Sequence, residues 1–157
     1  MSAKKSGDSG TVAQNRRARY DYFIEDQLEC GIVLAGTEVK SLREGKASLQ
    51  DSYAGEDDGE LTLFNAYIPE YRKASQFNHE TRRPRRLLVH KRERDRLLGL
   101  TRQKGVTLVP MAIYFTKRGI AKVRLGVATG KRQVDKRETE KQRDWNREKQ
   151  RLLREKG

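Results

Sequence analysis

Apolar positions along the chain recur mostly every second residue, in short runs. Glu60–Phe64 alternates strictly, and in Ile120–Val127 the residues Ala121, Val123, Leu125 and Val127 alternate with Lys122 and Arg124. A period of two places alternate side chains on opposite faces of a strand, so the second run has one core face and one cationic face. Tyr20–Ile24 is aromatic and β-branched, which suits a pleated surface. Gly31–Ala35 is a strand-length apolar run stopped by Gly36, and Leu49–Ala54 reads as another strand. Gly55–Gly59 is a turn into Glu60–Phe64, and Asn65–Ile68 continues until Pro69 ends it. Leu87–His90 returns to the core. Val106–Phe115 is apolar around Pro110, which favours an edge strand or a bulge, and Thr116–Gly119 is a four-residue turn.

Two segments carry helical spacing instead. Thr37 can cap a short helix from Glu38 to Glu44, with Glu38 in the first turn, where the helix dipole favours a carboxylate, and with Gly45 at the exit. Val39 and Leu42 then share one face, suited to plugging a barrel end. Lys91–Lys104 is the second, with Leu97, Leu98 and Leu100 inward and Gly105 as terminator. Many short strands with few helices predict a mainly β chain, a closed or partly closed antiparallel barrel; strand and helix alternate too irregularly for a parallel α/β sheet. Small barrels of the OB type use such cationic faces to bind nucleic acids.

Charge changes the picture most. The 157 residues carry 35 Lys and Arg against 22 Asp and Glu, a net +13, and only 34% of residues are hydrophobic. Globular domains run to roughly 45–50% apolar, so part of the chain is expected to be unpacked. A large positive excess attracts polyanions, nucleic acid first and an anionic membrane surface second. The single cysteine, Cys30, excludes an internal disulfide and fits a reducing compartment. The N-terminus has no apolar signal region, and no run approaches the roughly 20 residues that span a bilayer. These features predict a soluble cytoplasmic protein with no membrane partner.

Three zones follow: residues 1–14, small, polar and read as disordered; residues 15–128, holding nearly all apolar positions; and a basic tail, 129–157. Arg82, Arg83, Arg85 and Arg86 surround Pro84 in what reads as a surface loop able to clamp phosphates. The tail has eleven Lys and Arg and six Asp and Glu, with apolar residues only at Val134, Trp145, Leu152 and Leu153. Val134, Trp145 and Leu152 fall on one thin helical stripe. The stripe is too narrow to order the segment, so the tail is expected to be disordered when free and to fold against a polyanionic groove. It lacks coiled-coil heptads and the broad apolar face of a membrane helix.

Catalysis finds little support. His79 beside Glu80 is a weak acid–base pair, no Cys/His set has metal-ligand spacing, and neither a phosphate-binding glycine motif nor a serine elbow occurs. The acidic turn Gly55–Gly59 lacks a calcium-loop pattern. No enzyme activity, cofactor or metal is expected. A nuclease using His79 or His90 is the alternative in a different class.

The blocks Asn15–Arg19, Tyr22–Glu25, Gly36–Arg43 with Gly45–Ala47, Asp51–Tyr53, Phe77–His79, Leu87–Glu93, Leu108–Pro110 and Gly130–Arg137, taken in order, resemble the SsrA-binding protein (SmpB) family over about residues 15–149. The resemblance implies an OB-like barrel with about three short helices and a monomeric role in ribosome rescue by trans-translation. It implies that the body grips the tRNA-like domain of transfer-messenger RNA, with Asn15, Glu29, Leu88, Lys122 and Arg124 as candidate contacts, and Arg19 in the matching N-terminal block. Glu29 is an unusual RNA ligand; it would hold a basic neighbour or accept from a base amine or a 2′-OH. The tail is implied to enter the vacant decoding site and messenger channel of a stalled ribosome, helical once bound. Gly130, Lys131, Arg132, Gln133, Asp135, Lys136 and Arg137 carry the motif, and Trp145 lies on the stripe beyond it. Elongation factor Tu and alanyl-tRNA synthetase are implied to act on the same RNA. Val134 stands where the family often has His or Tyr, so base stacking is not expected there.

Overall fold

The structure, a computed structural model of the single chain, describes residues 10–74, 77–130 and 142–152. The body runs β1 (Thr11–Gln14), α1 (Ala18–Asp21), β2 (Tyr22–Ile32), α2 (Gly36–Arg43), β3 (Tyr53–Asp57), β4 (Glu60–Phe64), β5 (Arg85–Leu88), α3 (Lys91–Thr101), β6 (Val106–Phe115) and β7 (Ala121–Gly130). A further helix, α4, covers 142–152. All strand pairs are antiparallel. The order β1-β6-β3-β4-β5-β2-β7 closes on itself because β7 also pairs with β6, giving a six-stranded ring with β1 added beside β6. The mainly β barrel with short helices is therefore the architecture that the periodicity predicts.

Inward residues fill the ring as the alternation requires. Leu61 and Leu63 of β4, Leu108 and Ile113 of β6, and Val123, Leu125 and Val127 of β7 join Leu42, Leu49, Ile68, Leu87 and Leu97 in one core. α2 contributes Leu42 to that core, while Val39 remains half-buried outside it. α2 also starts earlier than expected, with Ala35 as its cap. Thr37 lies inside the helix, and its hydroxyl meets His79 Nδ1 at 2.9 Å. The Glu38 carboxylate takes the capping role by accepting from the Ala35 N–H at 2.7 Å.

Several expectations shift. Tyr20–Ile24 and Gly31–Ala35 are not two strands: Tyr20 and Asp21 close α1, and β2 runs unbroken to Ile32. The polar stretch Glu25–Gln27 hid its continuity, since it faces solvent beside a register shift between Ile24 and Asp26. The strand expected at Leu49–Ala54 begins only at Tyr53, and the β3–β4 turn tightens to Asp58-Gly59, both at positive φ (51° and 77°). β6 is not an edge: it has β7 on one side and β1 and β3 on the other. Pro110 is accommodated by the register shift between Pro110 and Ala112, the bulge alternative. The N-terminal boundary also moves, because residues 11–14, expected to be disordered, form β1; Ala13 is buried against the core and Asn15 N donates to Met111 O at 2.8 Å. At the other end β7 runs two residues past the expected limit, to Gly130.

Candidate nucleic-acid interface

The outward residues of β2, β5 and β7 meet on one side of the barrel. Register pairs Gly31 with Leu88 on β5 and with Lys122 on β7, and Glu29 with Arg124. Around this junction lies a cavity of about 380 Å³ lined by Glu29, Gly31, Leu88, His90, Glu93 and Lys122, among others. Leu88 is 49% exposed although it is apolar, and Gly31 leaves room for it: a Cβ at Gly31 would stand 3.2 Å from Leu88 Cβ. Three residues picked from distant parts of the sequence, Glu29, Leu88 and Lys122, thus share one concavity, with Arg124 one rung away.

Glu29 is held by a residue that the sequence reading missed. The Tyr114 hydroxyl of β6 donates to Glu29 Oε2, and the Arg124 guanidinium sits 5.2 Å from the centre of the Tyr114 ring. Burial, reinforced by the hydrogen bond to Glu29, pushes the Tyr114 phenol up to about 12. Only its place opposite Lys122, once β6 and β7 are in register, brings Tyr114 to this face. Directly beneath, burial pushes the Cys30 thiol up to about 11, with Glu29 adding to the rise. Cys30 is a packed core residue with little thiolate character.

The arginine cluster behaves otherwise than expected. Arg85 is fully buried, 0% exposed, and so offers no surface to a phosphate. Its Nε donates to Glu38 Oε2, its Nη1 to Ala66 O at 2.8 Å and its Nη2 to Thr81 O at 3.1 Å. Arg83 Nη2 donates to Glu38 Oε1 at 2.5 Å. Burial alone would push the Glu38 carboxyl up, but bonds from Arg83, the Ala35 N–H and Arg85 outweigh it and hold the carboxyl below its ordinary range. Burial likewise draws the Arg85 pKa down, against the pull of Glu38. The motif reads in sequence as a surface loop; a buried carboxylate and the carbonyls of Ala66, Glu80 and Thr81 make burial of Arg85 possible. Arg82 and Arg86 remain exposed, Arg82 lying over the Tyr67 ring and Arg86 pairing with Glu60 at 3.1 Å. His79, expected in a surface loop, is buried; its Nε2 lies 2.9 Å from Ile68 O and its Nδ1 meets Thr37.

Asn15 is only partly available, since its Nδ2 donates to Pro110 O at 3.1 Å, and Arg19 is exposed on α1. Gly130 is the exposed last residue of β7, paired with Tyr22. Lys131, Arg132, Gln133, Val134, Asp135, Lys136 and Arg137 lie outside the described residues. Trp145, 59% exposed, projects from α4, whose described side chains are all exposed. Over 142–152 the chain is helical, supported by good helix formers and an Asp144–Arg147 pair at 3.9 Å, and it touches the body where the Arg143 guanidinium lies 6.0 Å from the centre of the Tyr20 ring. Among the described residues no helix is long and apolar enough to cross a membrane.

The family model of the SmpB protein matches residues 12–155. The chain belongs to the SmpB protein family. Among SmpB relatives, the SsrA-binding protein of Methylorubrum populi is 55% identical over 157 residues, covering 100% of both chains. That of Paramagnetospirillum magneticum is 59% identical over 146 residues, 93% of this chain and 95% of its own, and that of Ruegeria pomeroyi 57% over 153 residues, 96% and 97%. A solved chain from structural work on tmRNA and SmpB at the centre of the bacterial ribosome superposes with a TM-score of 0.66 at 55% identity, covering 80% of this chain and 91% of that one. The SmpB resemblance drawn from the sequence blocks, and the β-rich fold it implied, both stand.

Proposed function

We propose that this chain binds transfer-messenger RNA and carries it to stalled bacterial ribosomes, acting in the cytoplasm by binding and without catalysis. The observation that carries the reading is the meeting of Glu29, Leu88 and Lys122 at one cavity, with Arg124 beside it, in a chain of the SmpB family. Lys122 and Arg124 supply cations to phosphates, Leu88 an exposed apolar contact to a base or sugar, and Glu29 an acceptor for a base amine or a 2′-OH. Asn15, Arg19, Arg82 and Arg86 are further contacts on this reading, Arg82 and Arg86 through whichever donors their present partners leave. Arg83 and Arg85 act through Glu38 on the fold.

The tail makes the second engagement on this proposal. Gly130 to Arg137 enter the vacant decoding site, and Trp145 and Leu152, seven residues apart on the exposed helix, face the messenger channel. Elongation factor Tu and alanyl-tRNA synthetase act on the same RNA. Removing residues 131–157 is expected to leave affinity for transfer-messenger RNA within a few-fold of the full chain and to abolish peptide tagging on stalled ribosomes. A large loss of affinity in a filter-binding assay would count against the division into body and tail. Lys122→Ala is expected to weaken binding and lower the slope of log K against log salt by about one.

A further inference from the structure

Glu29 and Arg124 face each other on one rung of the β2–β7 ladder. Opposite charges at such a separation ordinarily close into an ion pair, and a carboxylate and a guanidinium so paired are both spent. Here each has another partner, and it is the same one. The Tyr114 hydroxyl donates to Glu29 Oε2, while the Tyr114 ring seats the Arg124 guanidinium at 5.2 Å. Glu29 is thereby bonded to a neutral group and keeps its charge, while Arg124, lying over the ring and also donating toward the phenol oxygen, keeps its remaining N–H groups for other acceptors. The phenol is suited to this, since with its pKa up at about 12 it stays a donor near neutral pH.

We propose that Tyr114 is a positioning residue of the RNA-binding face: it holds Glu29 and Arg124 apart, so that the carboxylate accepts from donor groups of the RNA while the guanidinium meets a phosphate. The inference rests on the reading of this face as the RNA site. Phosphate cannot approach a carboxylate, so the group facing Glu29 must carry N–H or O–H, a base amine, an imino group or a 2′-OH.

Tyr114→Phe tests it, because the ring that seats Arg124 remains and only the hydroxyl is lost. Released from Tyr114, Glu29 closes on Arg124. With full-length chain and transfer-messenger RNA, the expected result is about tenfold weaker binding and a salt slope lower by about one, as one phosphate contact is withdrawn. Adding Glu29→Gln to Tyr114→Phe removes the competing charge and is expected to restore the wild-type slope, which loss of packing alone would not do. Glu29→Asp, too short to reach the phenol, is the second variant; it serves if Tyr114→Phe lowers the thermal midpoint enough to unfold the chain, and should show the same flattened slope. Unchanged affinity and slope in these variants, or a slope that Glu29→Gln does not restore, overturns the inference. Lys122→Ala run alongside separates the two failures. If it too changes nothing, the reading of the face falls; if it weakens binding while Tyr114→Phe matches wild type, only the role of Tyr114 falls.

Discussion

At the scale of single residues, the strongest constraint is Glu38, sealed at 0% exposure between Arg83 and Arg85. Removing one partner from a buried pair strands the other charge, so Arg85→Met is expected to cost about 3–5 kcal/mol, measurable by urea unfolding. The pair also fixes a pH dependence. Glu38 lies below its ordinary value of 4.5 when folded, so its stabilisation is full above that value and is lost as pH falls through the lower folded one. Urea midpoints should therefore drop on acidification below about pH 4.5, and Glu38→Gln should remove part of that drop. None of this was legible in the sequence. Four arginines round a proline look like surface because burying a guanidinium needs a carboxylate and several carbonyls, and those come from α2, Ala66 and Thr81, far apart along the chain. Lys122 and Arg124 were legible, because alternation with core residues fixes which way they point.

Elements were legible where one face is apolar and hidden where both are mixed. β4 and β7 announce themselves by strict alternation; α3 buries Leu97 and Leu98 as its spacing predicts, but it stops at Thr101, short of the expected Lys104, and Leu100 is only half-buried. The middle of β2 could not be read, because its Glu, Asp and Gln side chains lie on an outer face with no alternating partner set. Tyr114 was missed for a related reason: it lies within an apolar run, next to its last residue Phe115, and only pairing with β7 assigns it to a face. The narrow β2–β5 ladder, Gly31↔Leu88 and Ile32↔Leu87, gives a test at this scale. Gly31→Ala puts a methyl 3.2 Å from Leu88 Cβ, so Leu88 must give way and the cavity narrows. The expected outcome is a several-fold loss of affinity for transfer-messenger RNA with a shift in thermal midpoint of only a few degrees. A large fall in midpoint would mean that the contact serves the barrel more than the cavity.

For the whole molecule, charge and composition suggest a body and a tail, and in the structure the ordered strands include β1 and carry β7 on to Gly130. Because the described side chains of α4 are all exposed, Arg143 over the Tyr20 ring included, truncation after Gly130 is expected to leave the thermal midpoint of the body unchanged within about 2 °C, by calorimetry. A marked drop would reveal packing between tail and barrel. What composition could not supply is distance. Lys122 stands near the start of β7, beside the cavity, and Gly130 stands at its end, where the tail departs beside Tyr22. Eight residue steps of extended chain separate them, about 26 Å. That strand is locked on both sides, to β2 and to β6, over nearly its whole length. β7 is thus a rigid ruler. It sets how far the tail's point of departure lies from whatever the cavity holds, and changing that span would mean re-registering both neighbouring strands at once.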